Sequence, residues 1–330
     1  MNIKKVIAAG IMAMVALATF AVPEVTNVTA KQRYPWNGLV DITCKVTGIN
    51  GATNGLEFAV AAVNQNSGNI RYTPHFWVVQ GGTNSSDHMV HVNGNYKLLW
   101  NAHADLGQGL YSNIVVRVTM GKACSKVQLW ESGPYWAIMN IGATKSTEYG
   151  YYFWWGDTIG YKWQNSKWVA IDGSSSNFSF NNGNTSTFKT IASLKSDGWI
   201  TTDEVLALEH DAAHAHWGGA WRMPTKKEMD DINSKCDWTW TTMNGVNGYV
   251  VKGKGVYASA SIFLPAAGYG RESLLTSVGS YGEYWSSVPY SDGNVYAWYL
   301  NLNSSSHYTG SYYGYRNYGQ SIRPVQGFAE

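Results

Sequence analysis

The sequence predicts a mostly β protein with some α, arranged as two domains. Its 330 residues are about twice the roughly 150 residues of a typical domain. In the first third of the chain, apolar and polar residues alternate with period two, as they do in half-buried β-strands. Clusters of Gly, Ser and Asn interrupt the chain throughout, and one segment alone carries strong helix-start signals. We therefore expect an N-terminal immunoglobulin-like β-sandwich followed by a second domain of different texture.

Residues 1–21 have the three parts of a secretory signal peptide. Lys4 and Lys5 precede an apolar run over residues 6–20, and Ala21 ends a small-x-small cleavage pattern, with a second possible site after Ala30. The run is shorter than the ~20 residues of a membrane-spanning helix, and no cysteine near the cleavage site offers a lipid anchor. We expect a secreted or cell-surface protein without direct membrane insertion after signal cleavage, in which residues 22–32 are a linker.

Residues 33–126 form the predicted immunoglobulin-like β-sandwich. Val40, Ile42, Cys44 and Val46 alternate with polar residues, and a similar alternation recurs over residues 114–120. Period-two alternation places one face of a strand in a core and the other toward solvent. Several short strands separated by turn-rich pieces in ~95 residues are typical of such sandwiches.

Residues 127–330 form the second domain. Thr225 and Glu228 match a capping box, in which the threonine hydroxyl accepts from a free backbone N–H and the glutamate reaches back to the cap. This predicts a helix over residues 226–234. Residues 173–187 are rich in Ser, Asn and Gly and predict a surface loop. A core is expected to contain Trp285, Trp298, Leu300 and Leu302.

An ordered set of motifs in the second domain resembles a known family. The motifs are Gly-Gly-Ala-Trp-Arg-Met-Pro-Thr at 218–225, Ile-Phe-Leu-Pro-Ala-Ala-Gly-Tyr at 262–269, Tyr-Trp-Ser-Ser at 284–287 and Ser-Ile-Arg-Pro-Val at 321–325. In this order they resemble the Fibrobacter succinogenes major paralogous domain over residues 127–326. The resemblance implies a C-type-lectin-like α+β fold, shared with formylglycine-generating enzymes.

The same layout is similar to that of the variable proteins of diversity-generating retroelements. In those proteins, adenine-containing codons are randomised in a stretch that ends just before a motif like residues 321–325. Here residues 281–318 contain ten of the 22 tyrosines, together with Asn, Ser and His. The resemblance implies a diversified recognition surface, although ordinary members of the domain family are also rich in Tyr and Ser at this place.

Charge and cysteine content disfavour several functions. The net charge is +2 and no run of Lys or Arg exceeds two residues, so nucleic acid is not an expected partner. Cys44, Cys124 and Cys236 lack metal-ligand spacing; we expect free thiols, with a Cys44–Cys124 bridge as the alternative. The formylglycine-generating relatives use cysteines in the C-terminal part of the domain, and this chain has none after Cys236. We expect no enzyme activity and no cofactor.

Two charged clusters have structural interpretations. The residues His210, Asp211, His214 and His216 are the most metal-like group, but spacing alone is weak support for a metal site, and we expect a polar loop or short helix with no metal. An arginine set among Trp and Pro usually satisfies backbone carbonyls or carboxylates with its five donors. Arg222 and Arg323 are therefore expected to stabilise the scaffold.

The predicted ligand-contacting residues lie between 290 and 318. Tyr, Ser, Gly and Asn predominate in antibody contact loops, where Tyr supplies wide contact area at low entropy cost and Ser and Asn adapt their hydrogen bonds. The predicted residues are Tyr290, Asn294, Tyr296, Tyr299, Asn301, Asn303, Ser305, His307, Tyr308, Tyr312, Tyr313, Tyr315, Asn317 and Tyr318. The expected partner is a protein or a glycan outside the cell. Two alternatives remain open: a structural or adhesion protein, and a metal-dependent enzyme of the formylglycine-generating fold.

Overall fold

The structure, a computed structural model, describes residues 23–33, 37–49, 55–64, 70–72, 74–80, 83–107, 114–184, 186–291, 294–310 and 314–327. The predicted signal peptide, residues 1–21, lies outside these ranges. Strands dominate the described residues and four short α-helices accompany them, so the mostly β prediction is confirmed. None of the described helices has the length and apolar character needed to cross a membrane.

The N-terminal domain consists of two antiparallel sheets that face one core. Its elements are β1 (Glu24–Gln32), β2 (Leu39–Thr47), β3 (Leu56–Asn64), β4 (Ile70–Tyr72), β5 (Phe76–Gln80), β6 (Thr83–Ser85), β7 (Met89–Val90), β8 (Gly94–Asn101), α1 (Ala102–Leu106) and β9 (Ile114–Lys122). One sheet has the order β1-β2-β8-β5-β6, and in the other β3 pairs with β4, β7 and β9. Ile42 and Leu98 from the first sheet pack with Phe58 and Val118 from the second. The alternation in β2 thus predicted its buried face, and the domain is a β-sandwich.

Residues 24–32 correct the predicted linker. They form β1, which pairs antiparallel with β2 along most of its length. Val25 and Val28 pack against the edge of the sandwich core. Most of the other side chains of β1 are exposed, so the segment has too few apolar residues to be distinguished from a polar linker by composition. Backbone pairing with β2, rather than burial, makes it a strand.

The second domain contains several small sheets and three helices. Its elements are β10 (Lys126–Gln128), β11 (Tyr135–Ala137), β12 (Tyr161–Gln164), β13 (Lys167–Ala170), α2 (Ile191–Ser196), α3 (Ala212–Trp217), β14 (Trp221–Arg222), α4 (Lys226–Lys235), β15 (Asp237–Met243), β16 (Val246–Lys252), β17 (Ser261–Pro265), β18 (Tyr269–Arg271), β19 (Leu274–Thr276), β20 (Tyr281–Pro289), β21 (Ala297–Asn303), β22 (Ser306–Gly310) and β23 (Val325–Gln326). Both halves of the capping box at Thr225 and Glu228 are present, which confirms the predicted start of α4.

The β20–β21–β22 sheet lies between two cores. Leu300 and Leu302 pack on one side with Ile232 of α4. Trp285 and Tyr299 pack on the other side with residues that include Phe153 and Trp155. Because both faces of β20 and β21 are largely covered, polar residues in these strands are also buried.

Two arginines fix the backbone of this domain through ion pairs and hydrogen bonds. Arg323 is 1% exposed and donates to Asn140 Oδ1, to the Ala137 carbonyl and to the Phe263 carbonyl at 2.9–3.1 Å. Arg222 forms a bidentate ion pair with Glu228. The expectation that both arginines stabilise the scaffold is confirmed.

The two domains meet through close backbone contact. Gly121 at the end of β9 forms an isolated bridge with Gly218, and a Cβ atom on Gly121 would lie only 2.6 Å from the Gly218 carbonyl oxygen. The Trp221 indole donates to the Lys122 carbonyl at 2.7 Å, and Lys126 forms an ion pair with Glu57. The junction therefore leaves no space for a side chain at Gly121.

Candidate functional site

Six half-buried aromatic rings contact one another in sequence on the surface of the second domain. We call this set the tyrosine ladder, and its members in spatial order are Tyr269, Tyr318, Tyr315, Tyr296, Tyr290 and Trp298. The successive ring centroids are separated by 5.7, 5.1, 4.8, 6.5 and 5.2 Å. Since every ring is neither fully buried nor fully exposed, the ladder is partly fixed by packing and partly available for contact.

Arg316 fixes the backbone beneath the ladder. Its guanidinium is fully buried and donates to the carbonyls of Tyr296 and Asn294 at 2.9 and 3.0 Å, and to those of Ser186 and Lys189. Its carbon Cζ lies 5.1 Å from the centre of the Trp155 ring. Burial lowers the pKa of Arg316 to about 10, so the group is still charged at neutral pH. These charge-assisted hydrogen bonds hold the segments on which four of the ladder tyrosines stand.

A direct pairing of two ladder residues adds to this support. Tyr296 and Tyr315 form an antiparallel β-bridge, and their hydroxyl oxygens are 3.4 Å apart. The Ala297 N–H donates to the Gly314 carbonyl at 2.9 Å. A Cβ on Gly314 would meet the Ala297 carbonyl oxygen at 2.4 Å, so only glycine permits this close approach.

A polar cleft lies at the turn between β21 and β22. It has a volume of about 310 Å³ and is lined mainly by Trp240, Asn247, Tyr281, Asn303, Ser304 and Ser305. Asn303 Oδ1 accepts from the Ser305 and Ser306 backbone N–H groups and so fixes the turn. His307, which follows the turn, stacks on Trp238 at 4.2 Å and contacts Asn233 through Nδ1. The aromatic and amide groups of this cleft are suited to uncharged, hydrogen-bonding ligands.

A row of polar side chains crosses the same sheet beside the ladder. Glu283 of β20 lies directly opposite Asn301 of β21, which lies opposite Tyr308 of β22. The parallel bridge between Tyr284 and Ser321 sets Gln320 alongside Glu283 on the other edge of β20. Residues in register on adjacent strands point to the same face. We call Gln320, Glu283, Asn301 and Tyr308 the polar row.

The structure brings most of the predicted contact residues to this region. Tyr290, Tyr296, Tyr315 and Tyr318 are members of the ladder. Asn303 and Ser305 lie in the turn that forms one side of the cleft, and His307 follows that turn. Asn294 and Tyr308 are exposed, Tyr308 to 48%. Tyr312 and Tyr313 lie outside the described residues.

Three predicted contact residues are wrong as surface residues. Tyr299 is 4% exposed, Asn301 4% and Asn317 6%. Tyr299 and Asn301 were expected on an open face of β21, because Leu300 and Leu302 alternate with them. The second core covers that face instead, and the alternation separates two buried environments rather than an interior and a surface. Asn317 lies in the turn at Arg316 and is buried as well.

Trp298 was predicted to lie in the core, but the structure places it partly at the surface. It is half-buried and contacts Tyr290 in the ladder, with the ammonium of Lys226 4.7 Å from its ring centre. Tyr269, Trp240 and Glu283 were missed altogether. Tyr269 is the last residue of the 262–269 motif, and Glu283 directly precedes the Tyr-Trp-Ser-Ser motif. Both motifs were interpreted as parts of the scaffold. No sequence signal separated a partly exposed ring or an unpaired acid from the neighbouring core residues.

The histidine cluster has other partners than a metal. His210 stacks on Trp199 at 3.8 Å, His216 contacts the Thr158 carbonyl at 3.0 Å, and Asp211 caps α3 by accepting from the His214 N–H. Among the described residues no group of three or more His, Cys, Asp or Glu side chains is arranged to hold a metal ion. The three cysteines are free thiols, which confirms that interpretation, and burial raises the pKa of Cys44 and Cys236 to about 11.

Comparison with known proteins gives one match. A family described as a domain of unknown function (DUF8237) is similar to residues 224–325 of this chain. That segment begins just before α4 and contains all of the ladder and the polar row. No curated protein and no solved structure matches the chain. The resemblance to the major paralogous domain therefore stays a prediction.

Proposed function

We propose that this chain is an exported, non-catalytic binding protein that recognises a protein or a glycan outside the cell through the tyrosine ladder. The observation that carries the proposal is the unbroken series of six half-buried rings, five of which fall in the predicted recognition stretch. Tyr and Trp bury a large area with few rotatable bonds, so the entropy lost on binding is small. Such rings dominate the energy of many interfaces.

The surroundings of the ladder also support a binding role. Charged residues are scarce in the whole chain, 14%, and depletion of charge is typical of the central part of an interface. The buried guanidinium of Arg316 fixes the supporting backbone. A rigid platform lowers the ordering cost of association.

A narrower proposal is that the recognition surface is diversified by a retroelement. Four ladder tyrosines lie between residues 290 and 318, before the Ser321–Val325 motif, as the resemblance implies. The coding DNA tests it. Asn-type codons and their adenine-substituted variants concentrated in this stretch, together with a near-copy repeat and a reverse transcriptase gene nearby, are the expected result.

The binding proposal is tested by selection against defined libraries. Wild-type protein without the segment 1–21 is screened on a glycan array and against a displayed random-peptide library. A ladder variant, Tyr290→Ser with Tyr296→Ser and Tyr315→Ser, is then measured on every ligand selected.

We expect at least a tenfold loss of affinity in the ladder variant. The matched control carries Tyr135→Ser and Tyr151→Ser, two half-buried tyrosines outside the ladder, and should keep wild-type affinity. Equal binding by the ladder variant and the control would refute the proposal. Concentration-dependent light scattering of the wild type, lost in the ladder variant, would favour self-association as a structural protein instead.

A further inference from the structure

The polar row contains buried groups that lack hydrogen-bond partners. Among the described residues, the carboxylate of Glu283 accepts no hydrogen bond although the side chain is only 8% exposed. Asn301 Oδ1 and both ends of the Gln320 amide are also buried without a partner. A buried polar group without a partner costs about 1–3 kcal/mol, and most buried polar groups in proteins are paired. Three such residues side by side therefore require an explanation.

The unpaired atoms are mostly acceptors. The buried unpaired atoms are the Asn301 oxygen, the Gln320 oxygen and one donor, the Gln320 nitrogen. Beside them lies the 8% exposed Glu283, whose pKa is raised by burial with no hydrogen bond to offset it. An ammonium group offers three donors and no acceptor, and a guanidinium offers five donors and no acceptor. A donor-rich cation therefore complements this set better than a hydroxyl does, because each hydroxyl brings acceptor lone pairs as well as a donor.

Four tyrosines interact electrostatically with the Glu283 carboxylate. The charge on Glu283 contributes to raising the pKa of Tyr269 on β18, Tyr299 on β21, Tyr308 on β22 and Tyr318, and Tyr308 is in register with Glu283 through Asn301. Ring faces attract cations electrostatically, most strongly where water is excluded. The acid and the rings thus favour the same kind of ligand.

No charge within the described residues already fills this role. Burial alone raises the pKa of Glu283. In the surrounding elements, the Cζ of Arg271 lies 5.9 Å from the centre of the Tyr318 ring, on the ladder. Tyr281, on the same strand as Glu283, is 41% exposed. In the part of the chain that the structure describes, therefore, no cation pairs with this acid.

We propose that the polar row, with Tyr269 and Tyr318, forms a pocket for the cationic end of a lysine or arginine side chain presented by a protein partner. Glu283 supplies the countercharge, Asn301 and Gln320 accept further N–H groups, and the tyrosine rings contact the aliphatic stem and the cation. This inference rests on the proposed function. The cationic group would belong to the ligand of the ladder, and it would bind at the end of the ladder formed by Tyr269 and Tyr318.

Proton linkage gives this pocket a signature that a neutral ligand lacks. Burial raises the pKa of Glu283 to about 8. Without a ligand, the Glu283 carboxyl is therefore mostly protonated at pH 6 and mostly ionised at pH 9. A cation binds the ionised form, and binding at pH 7 releases a proton from Glu283 to solvent. Affinity should therefore rise up to tenfold per pH unit below pH 8 and level off above it.

The test uses small probes. Nα-acetyl-lysine amide and Nα-acetyl-arginine amide are titrated calorimetrically into the wild-type protein at pH 6, 7, 8 and 9. Nα-acetyl-norleucine amide, which lacks the charge, and a neutral cello-oligosaccharide are the comparison ligands. Glu283→Gln is the test variant, and Glu272→Gln, at an exposed acid on the nearby β18–β19 turn, controls for the change in net charge.

We expect the cationic probes to bind the wild type and the Glu272→Gln variant alike, with affinity that rises with pH. Glu283→Gln should bind them at least tenfold more weakly at pH 8. Equal binding by Glu283→Gln, equal binding of the norleucine amide, or a flat pH profile would each overturn the inference. Binding of the oligosaccharide alone would assign the pocket to sugar hydroxyls and also overturn it.

The two proposals fail separately. If the cationic probes do not bind but the ladder variant still loses its selected ligands, the cation pocket is wrong and the ladder proposal stands. If the probes bind through Glu283 but the ladder variant keeps all selected ligands, the ladder proposal is wrong.

Discussion

Replacing Glu283 by glutamine should change how the stability of the second domain depends on pH. Burial raises the pKa of Glu283 from 4.5 to about 8 in the folded protein. A raised carboxyl pKa means that the folded state holds its proton more tightly than the unfolded state does. The stability associated with this proton is therefore fully present below pH 4.5 and is lost as the pH rises through 8.

The size of the effect follows from the shift. Each pH unit within the window changes the free energy of unfolding by about 1.4 kcal/mol. Over the whole window this amounts to on the order of 5 kcal/mol, a large fraction of the 5–15 kcal/mol typical of a whole domain. Glutamine has nearly the same shape and does not ionise, so the variant should be less sensitive to pH and more stable than the wild type at pH 8.

Urea denaturation from pH 5 to pH 9, followed by tryptophan fluorescence, measures this difference. Burial also raises the pKa of Asp157, to about 6, and that of Asp211, so both proteins lose further stability with rising pH. Subtracting the wild-type curve from the variant curve removes these shared contributions. A difference that stays constant from pH 5 to pH 8 would refute the reasoning, because it would mean that Glu283 titrates normally in the fold.

Three other substitutions test the scaffold, each by urea denaturation. Thr225→Ala removes the side-chain half of the capping box with Glu228 and should cost about 1 kcal/mol, whereas Thr225→Ser should keep the wild-type stability; equal losses would contradict the cap. Gly319→Ala should cost about 2 kcal/mol, since its Cβ would lie 2.3 Å from the Phe180 ring, and an unchanged midpoint would show that Phe180 can move aside. Arg316→Met leaves four backbone carbonyls without their donor and should cost about 3 kcal/mol, with altered near-ultraviolet dichroism from the ladder; a melt like that of the wild type would show that the ladder does not depend on it.

Local signals predicted the elements that depend on neighbouring residues. The capping box predicted the first residue of α4 correctly, because the two partners of that motif, Thr225 and Glu228, are only three positions apart. The alternation at Ile42, Cys44 and Val46 gave the buried face of β2, because one side of that strand meets solvent. In both places a single local pattern decides the outcome, and distant parts of the chain do not change it.

Long-range packing decided the parts that the sequence could not reveal. Tyr299 and Asn301 alternate with Leu300 and Leu302 in the manner of an exposed strand. A second core, to which distant residues such as Phe153 and Trp155 contribute, covers their face. β1 is exposed along most of its length and becomes a strand only through hydrogen bonds to β2. The composition of a segment does not report such partners.

A structural role explains some of the buried charged residues of this domain but not all of them. Arg323 is fully enclosed, and each of its three nitrogens donates to an oxygen of the domain, so its burial stabilises the folded chain by connecting three segments. Arg316 has four carbonyl acceptors for Nε and Nη1, and its Nη2 is unpaired. Glu283 is 8% exposed and no described group donates to it, and the acceptors beside it on β21 and at Gln320 are unpaired as well. Folding alone would favour glutamine or an apolar residue at this position, because a buried acid without a donor costs stability at every pH above its ordinary pKa. A ligand that brings donors and a positive charge removes that cost when it binds, and this is the physical reason for assigning Glu283 to recognition rather than to the scaffold.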